Sequence, residues 1–191
     1  MKSTESTLVF KGLGQSLKIT TSQVNENGMV ITRAETRTSS SIPGLPNINI
    51  QGELRSQMPQ PALSALAASG VFDRKFYQGF VYAEEISGKT RTWREEGGQL
   101  IGDGGGILPL VDFFLDPLAL IFNLATVVHR PHLQILAGKK IYDMGIEKTE
   151  TNQVVLSVQN KKILAQLDVH GFQSAKCRLL PLLEFALHRL D

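Results

Sequence analysis

The chain is short of the residues that most readily advertise a chemistry. Its 191 residues include one cysteine, Cys177, one tryptophan, Trp93, and four histidines. A single thiol closes no intrachain disulfide and builds no multi-thiolate metal site. It does not fix the compartment either, since exported proteins can lack disulfides. Charge is nearly balanced: 20 Lys and Arg against 18 Asp and Glu leave +2, without the strong basic surplus usual in nucleic-acid binders. Long apolar runs are missing too. The longest stretch, Gly106 to Val128, is interrupted by Asp112, Asp116 and Pro117. Two carboxylates in hydrocarbon would cost several kcal/mol, which excludes a transmembrane helix. Met1 to Gly12 has neither the apolar core of a secretory leader nor an Arg-rich transit pattern. This fits a cytoplasmic chain, or a mature exported form in which Met1 stands where a leader was removed.

What the chain does contain is alternation. Leu17 to Val24 switches between apolar and polar side chains as a half-buried strand does. Asn27-Gly28 is the favoured pair for a tight turn with positive φ. Beyond it, Val30, Thr32, Ala34, Thr36 and Thr38 fall on one face, with Ile31, Arg33, Glu35 and Arg37 on the other. Ile42 to Pro46 breaks this strand, and Asn47 to Met58 resumes it. Pro61 opens a short helix over Ala62 to Ser69, with Gly70 as its stop. Phe72 to Ile86 and Thr90 to Glu95 read as a second hairpin, and Gly97-Gly98 and Gly102 to Gly106 as a flexible connection. Asp116-Pro117 opens a nearly all-apolar helix to Val128, with a start near Leu110 as the alternative. Alternation returns in His132 to Leu136, Lys140 to Glu147, Gln153 to Gln159 and Ile163 to Val169. The tail, residues 174–191, fits a helix through Leu179, Leu182, Leu183, Ala186 and Leu187. It fits a strand through Leu183, Phe185 and Leu187. No repeat or linker divides the chain, so one domain spanning 1–191 is expected.

The motifs point to no catalytic chemistry. Gly102 to Gly106 lacks the Gly-Lys-Ser/Thr of a phosphate loop. His129 and His132 are separated by Pro131, which prevents the helix that would bring them to one face, and no partner ligands complete a zinc site. Asp112 and Asp116 are read as carboxylates at a helix start, where they are favoured. Arg74, Lys75, Lys89, Arg91 and Arg94 interleave with Tyr77, Tyr82 and Trp93, a pattern that single-stranded nucleic acid can use. Glu84, Glu85, Glu95 and Glu96 nearly cancel that charge, leaving a solvated hairpin and no nucleic-acid partner. Lys176 and Arg178 flank Cys177 and could lower its pKa, but without an adjoining His and acid it reads as a structural thiol. Gly-x-Ser-x-Gly is absent.

Three segments carry a family resemblance: Phe72-Asp73-Arg74 leading into the Phe80 to Trp93 hairpin, Asp116 to Asn123, and Leu136 to Glu147 with its Gly-Lys-Lys-Ile-Tyr strand. Together they resemble bacterial periplasmic proteins of unknown function related in shape to the lipoprotein carriers LolA and LolB. That resemblance implies a mainly β (α+β) fold: a long antiparallel sheet curved into a half-barrel and covered by one or two short helices. It also implies a location in the periplasm or cell envelope, and a noncatalytic role sheltering a lipid, acyl chain or similar apolar ligand. The residues expected to line such a cavity are Phe76, Phe80, Tyr82, Trp93, Phe113, Phe114, Leu118, Ile121 and Phe122. Plain core packing competes with ligand contact at each of them. No cofactor and no metal is expected. Two alternatives differ in class: an envelope assembly factor that recruits a protein partner, and a hydrolase or isomerase using Asp112, Asp116, His129 or His132.

Overall fold

The Asn27-Gly28 turn forms as its residues require, with φ of 50° and 76°. The strands on either side are the centre of a much larger sheet. The computed structural model describes residues 4–12, 15–40, 48–150, 152–159, 161–168, 171–180 and 183–190. Strands β1 (Thr4–Gly12), β2 (Gln15–Glu26), β3 (Met29–Ser40) and β4 (Ile48–Pro59) come first. Helix α1 (Gln60–Ala67) and one 3-10 turn (Arg74–Tyr77) follow. Next are β5 (Val81–Ile86), β6 (Lys89–Glu96), β7 (Gln99–Gly102) and β8 (Ile107–Pro109). The two-residue β9 (Phe114–Leu115) precedes helix α2 (Pro117–Val127). The chain ends with β10 (His132–Ala137), β11 (Lys140–Glu150), β12 (Gln153–Val158), β13 (Lys161–Asp168), β14 (Gly171–Leu180) and β15 (Leu183–Arg189).

All fifteen strands form one sheet in the order β8 to β1, then β15 back to β9. Every pairing is antiparallel except β9 with β10. The first and last strands are neighbours at its middle, where Leu8 faces Arg189. The two outer edges, β8 and β9, are adjacent in sequence and separated only by residues 110–113. Laid flat, a sheet of this many strands would be roughly 65 Å across. The five residue steps from Pro109 to Phe114 reach at most about 17 Å. The sheet must therefore curl until its edges approach each other.

The inner face is apolar with small hydroxyls. On β3, Thr32 and Ala34 are buried while Arg33 and Glu35 are exposed. Pairing continues this inner row through Ser56, Tyr82 and Trp93 to Gly102. Both helices lie at one end of the curl. Gln60 N donates to Gly28 O at 2.8 Å, which sets α1 beside the β2–β3 turn. Helix α2 packs against β3, β4, β9, β10, β14 and α1, burying Leu118, Ala119, Leu120, Leu124 and Val127. Asp116 starts it by accepting from Leu118 N and Ala119 N at 3.0 Å each. Arg130, just past α2, donates to Leu66 O at 2.9 Å and Ala65 O at 3.1 Å, and lies over the Phe113 ring at 4.7 Å. A cation thus adds a second donor to carbonyls at the α1 C-terminus that already accept from Ser69 N and Gly70 N, and ties the two helices together. The turns at 87–88, 103–106 and 138–139 lie at the opposite end of the strands, away from both helices.

Two local expectations are corrected and two open alternatives are settled. Gly97-Gly98 and Gly102 to Gly106 are tight turns of a continuing meander, because short apolar pieces between them (Leu100, Leu108) pair as β7 and β8. Residues 72–79 are not strand: Asp73 caps the 3-10 turn by accepting from Lys75 N at 2.9 Å, and the hairpin begins at Val81. Helix α2 begins at Pro117 and not near Leu110. The tail is strand, β15 being held between β14 and β1. The break expected at Ile42 to Pro46 lies outside the described residues, as do Val169 and Pro181.

Candidate functional site

The nine residues expected to line a cavity fall into three environments. Phe80, Phe113 and Phe114 form an aromatic cluster with Phe72, Phe76 and Tyr77 beneath the link that joins the sheet edges. Tyr77 stacks on Phe114 at 4.4 Å between centroids, Phe80 meets Phe114 edge-on at 4.9 Å, and Phe72 meets Phe113 edge-on at 5.4 Å. Phe76 stacks more loosely on Phe113 at 6.3 Å and is half-buried. The Tyr77 hydroxyl donates to Phe114 O at 2.7 Å and accepts from Phe114 N at 2.8 Å. It thereby replaces the sheet partner that the two-residue β9 lacks at that residue. Burial raises the pKa of this phenol, which stays protonated.

Leu118 is buried, while Ile121 and Phe122 are half-buried on α2. The last two border a void of about 30 Å³ with Ser6, Leu8, Phe172 and Arg189. That is room for about one water and not for a hydrocarbon chain. At this point the space between helix and sheet is filled by side chains. Near it, Asp116 is 0% exposed, and Ser56 Oγ donates to its Oδ2 at 2.6 Å. Burial raises the Asp116 pKa to about 6, opposed by the hydrogen bonds from Ser56, Ala119 and Leu118. It is a helix cap first, as its Asp-Pro context suggests.

Tyr82 and Trp93 stand opposite each other on the inner row, four residue pairs from the 87–88 turn at the helix-free end. Burial, with the Asp116 and Glu84 carboxylates, raises the Tyr82 pKa. Its hydroxyl lies 3.4 Å from Glu84 Oε2, and Glu84 is paired with Arg91. Trp93 Nε1 donates to Gly138 O at 2.9 Å. This bond crosses from β6 to the β10–β11 turn and so closes the seam between the two halves of the curled sheet. The Trp93 ring has space only because its neighbours lack side chains: a Cβ at Gly102 or Gly106 would sit 3.0 Å from ring carbons.

Beside that ring lies a cleft of about 600 Å³. It is lined by Lys89, Thr90, Arg91 and Trp93 on one side, Gly102, Asp103, Gly104 and Gly106 on another, and Lys139 across the seam. Sequence reading named Lys89, Arg91, Trp93 and the glycines in separate motifs. Only the curl of the sheet brings Lys139 to them. Its only local signal is a glycine followed by Lys139 between two alternating segments, which marks a turn and no more.

The remaining candidates are not assembled. His129 and His132 are exposed, and Asp112 is exposed with Oδ1 accepting from Phe113 N at 2.7 Å. Among the described residues no group of three His, Cys, Asp or Glu side chains converges. Tyr77, Tyr82 and Trp93 are buried, so the basic–aromatic hairpin presents no stacking platform. Arg94 lies 3.6 Å from both Glu96 and Asp103. The Cys177 side chain lies outside the described part of the structure. Among the described residues no helix is long and apolar enough to cross a membrane.

No family model matches the chain, and no curated protein matches it. Among solved structures, the chain is similar to the crystal structure of a beta-barrel-like protein of domain of unknown function DUF1849 from Brucella abortus. The TM-score is 0.61 at 7% identity, over 98% of this chain and 95% of that one. At that identity the likeness is one of fold. It places the curled sheet among barrel-like folds of unknown function.

Proposed function

We propose that the chain is a noncatalytic binding protein of the bacterial cell envelope that holds an apolar or amphipathic ligand at the helix-free end of its curled sheet. One observation carries this reading: a 600 Å³ cleft at the seam of a barrel-like sheet, floored by Trp93 and two glycines. Mouths of barrels are frequent ligand sites, and this volume falls within the usual range for small molecules. The short likeness to the lipoprotein-carrier shape supports a lipid or acyl chain as the ligand. The periplasmic location belongs to the same proposal. The nine aromatic and aliphatic residues contribute chiefly by holding the wall in place, with Trp93 the one that borders the cleft. Native mass spectrometry of protein purified from its own host tests this. Adduct masses that disappear on solvent extraction and match lipid support it, and a bare chain at every stage counts against it.

A second reading, a partner-recruiting envelope protein, has its own observation. Val71 and Val111 are 88% and 63% exposed beside a groove of about 830 Å³ that also includes Phe72, Phe76 and Leu110. Exposed apolar residues grouped in this way mark interaction surfaces. A bare chain that co-purifies with a second polypeptide would favour this reading over ligand storage.

A further inference from the structure

We propose that the seam cleft recognises the anionic head, a carboxylate or a phosphate ester, of a single-chain amphiphile. This rests on the binding reading above and specifies the ligand's chemistry. Four charged side chains line the cleft: Lys89, Arg91, Asp103 and Lys139. Two of them are already engaged within the protein. Arg91 is paired with Glu84, and Asp103 lies 3.6 Å from Arg94. Lys89 and Lys139 have no carboxylate within ion-pair distance among the described residues. The cleft therefore presents two ammonium groups without an ion-pair partner, from hairpins fifty positions apart in the chain, in the same lining as one aromatic ring. Trp93 Nε1 is committed to Gly138 O and the ring is only 3% exposed, so at the cleft it presents a narrow apolar edge and no free donor. An anion held by the lysines, with a hydrocarbon segment over the indole edge and the adjoining glycines, satisfies both features. A neutral apolar ligand leaves the cationic rim unused, and a small free anion leaves the ring unused.

The test is calorimetry on delipidated full-length protein with decanoate, decanol and inorganic phosphate at low ionic strength. Decanoate should bind at least tenfold more tightly than decanol, and phosphate more weakly than decanoate. The advantage of decanoate should shrink as salt rises, because the charges are exposed. The double variant Lys89→Gln/Lys139→Gln should bring decanoate to within about threefold of decanol and leave decanol unchanged. Both lysines are exposed, so an unchanged thermal midpoint is expected and serves as the folding control. Should the double variant not fold, the salt dependence of the wild-type difference decides alone. Equal binding of decanoate and decanol by wild type overturns this inference and leaves the binding function standing. Phosphate binding as tight as decanoate also overturns it, in favour of a bare anion site. If none of the three binds, the binding function itself fails.

Discussion

Asp116 is a carboxylate removed from water and compensated by three hydrogen bonds, and its response to pH follows from that balance. Its folded pKa of about 6 lies above the ordinary aspartate value near 3.9. Between these values the folded state holds a proton that the unfolded chain has released. The contribution is fully present below about pH 3.9 and is lost as pH rises through about 6. Two units correspond to about 3 kcal/mol. Asp116→Asn isolates it from all other titrations. The amide oxygen can still accept from Leu118 N and Ala119 N, and the amide nitrogen can donate to Ser56 Oγ, reversing that bond. Urea unfolding of both proteins at pH 4 and pH 7 gives the difference between them. The stability of the Asn variant relative to wild type should rise by about 2 kcal/mol from pH 4 to pH 7, since the unfolded carboxyl is already part-ionised at pH 4, with the urea slope unchanged. A difference that is the same at both pH values would mean Asp116 is solvated, and the buried-cap account would be wrong.

Three further outcomes test the architecture. Phe114→Ala, at a fully buried ring between Tyr77 and Phe80, should cost about 3–5 kcal/mol, whereas half-buried Phe122→Ala should cost about 1–2. Equal losses in urea midpoints would refute the placement of α2. Gly102→Ala should cost about 1–3 kcal/mol by pushing on the Trp93 ring and should red-shift its emission, while Gly104→Ala, with open space at its Cβ, should do neither. Dialysis against a chelator should leave the thermal midpoint unmoved; a structural zinc contributes about 10 kcal/mol, so a large drop would make His129 and His132 ligands.

Much of this fold was legible wherever the informative residues are neighbours in sequence. The 17–40 hairpin, its turn at Asn27-Gly28 and the inward face of Thr32 and Ala34 follow from alternation and turn chemistry. The Asp116 cap and the short α1 follow from Pro placement. What depends on distant pairing was not legible. Thr4–Gly12 was not singled out as a strand, and its position beside β15 is a contact between the two ends of the described chain. The tail's leucines satisfy both periods, and β1 and β14 on either side decide for strand. The candidate site divides in the same way. The aromatics were identifiable as apolar, but whether each faces a ligand or another ring depends on the 110–113 link that draws Phe113 and Phe114 onto Tyr77 and Phe80. Lys139 joins Lys89 only after the sheet curls, and neither lysine carries that information locally.

The central claim is that an apolar chain enters the cleft beside Trp93. Because this is the chain's one tryptophan, its emission reports that site alone. Delipidated protein should be titrated with saturated fatty acids of increasing length while Trp93 fluorescence is followed. Each added methylene gives about 0.8 kcal/mol on burial, so the dissociation constant should fall about fourfold per carbon until the cleft is filled, with a change in emission intensity that saturates. Emission that does not change with any chain length at micromolar concentration, in protein shown to be folded, would contradict the account.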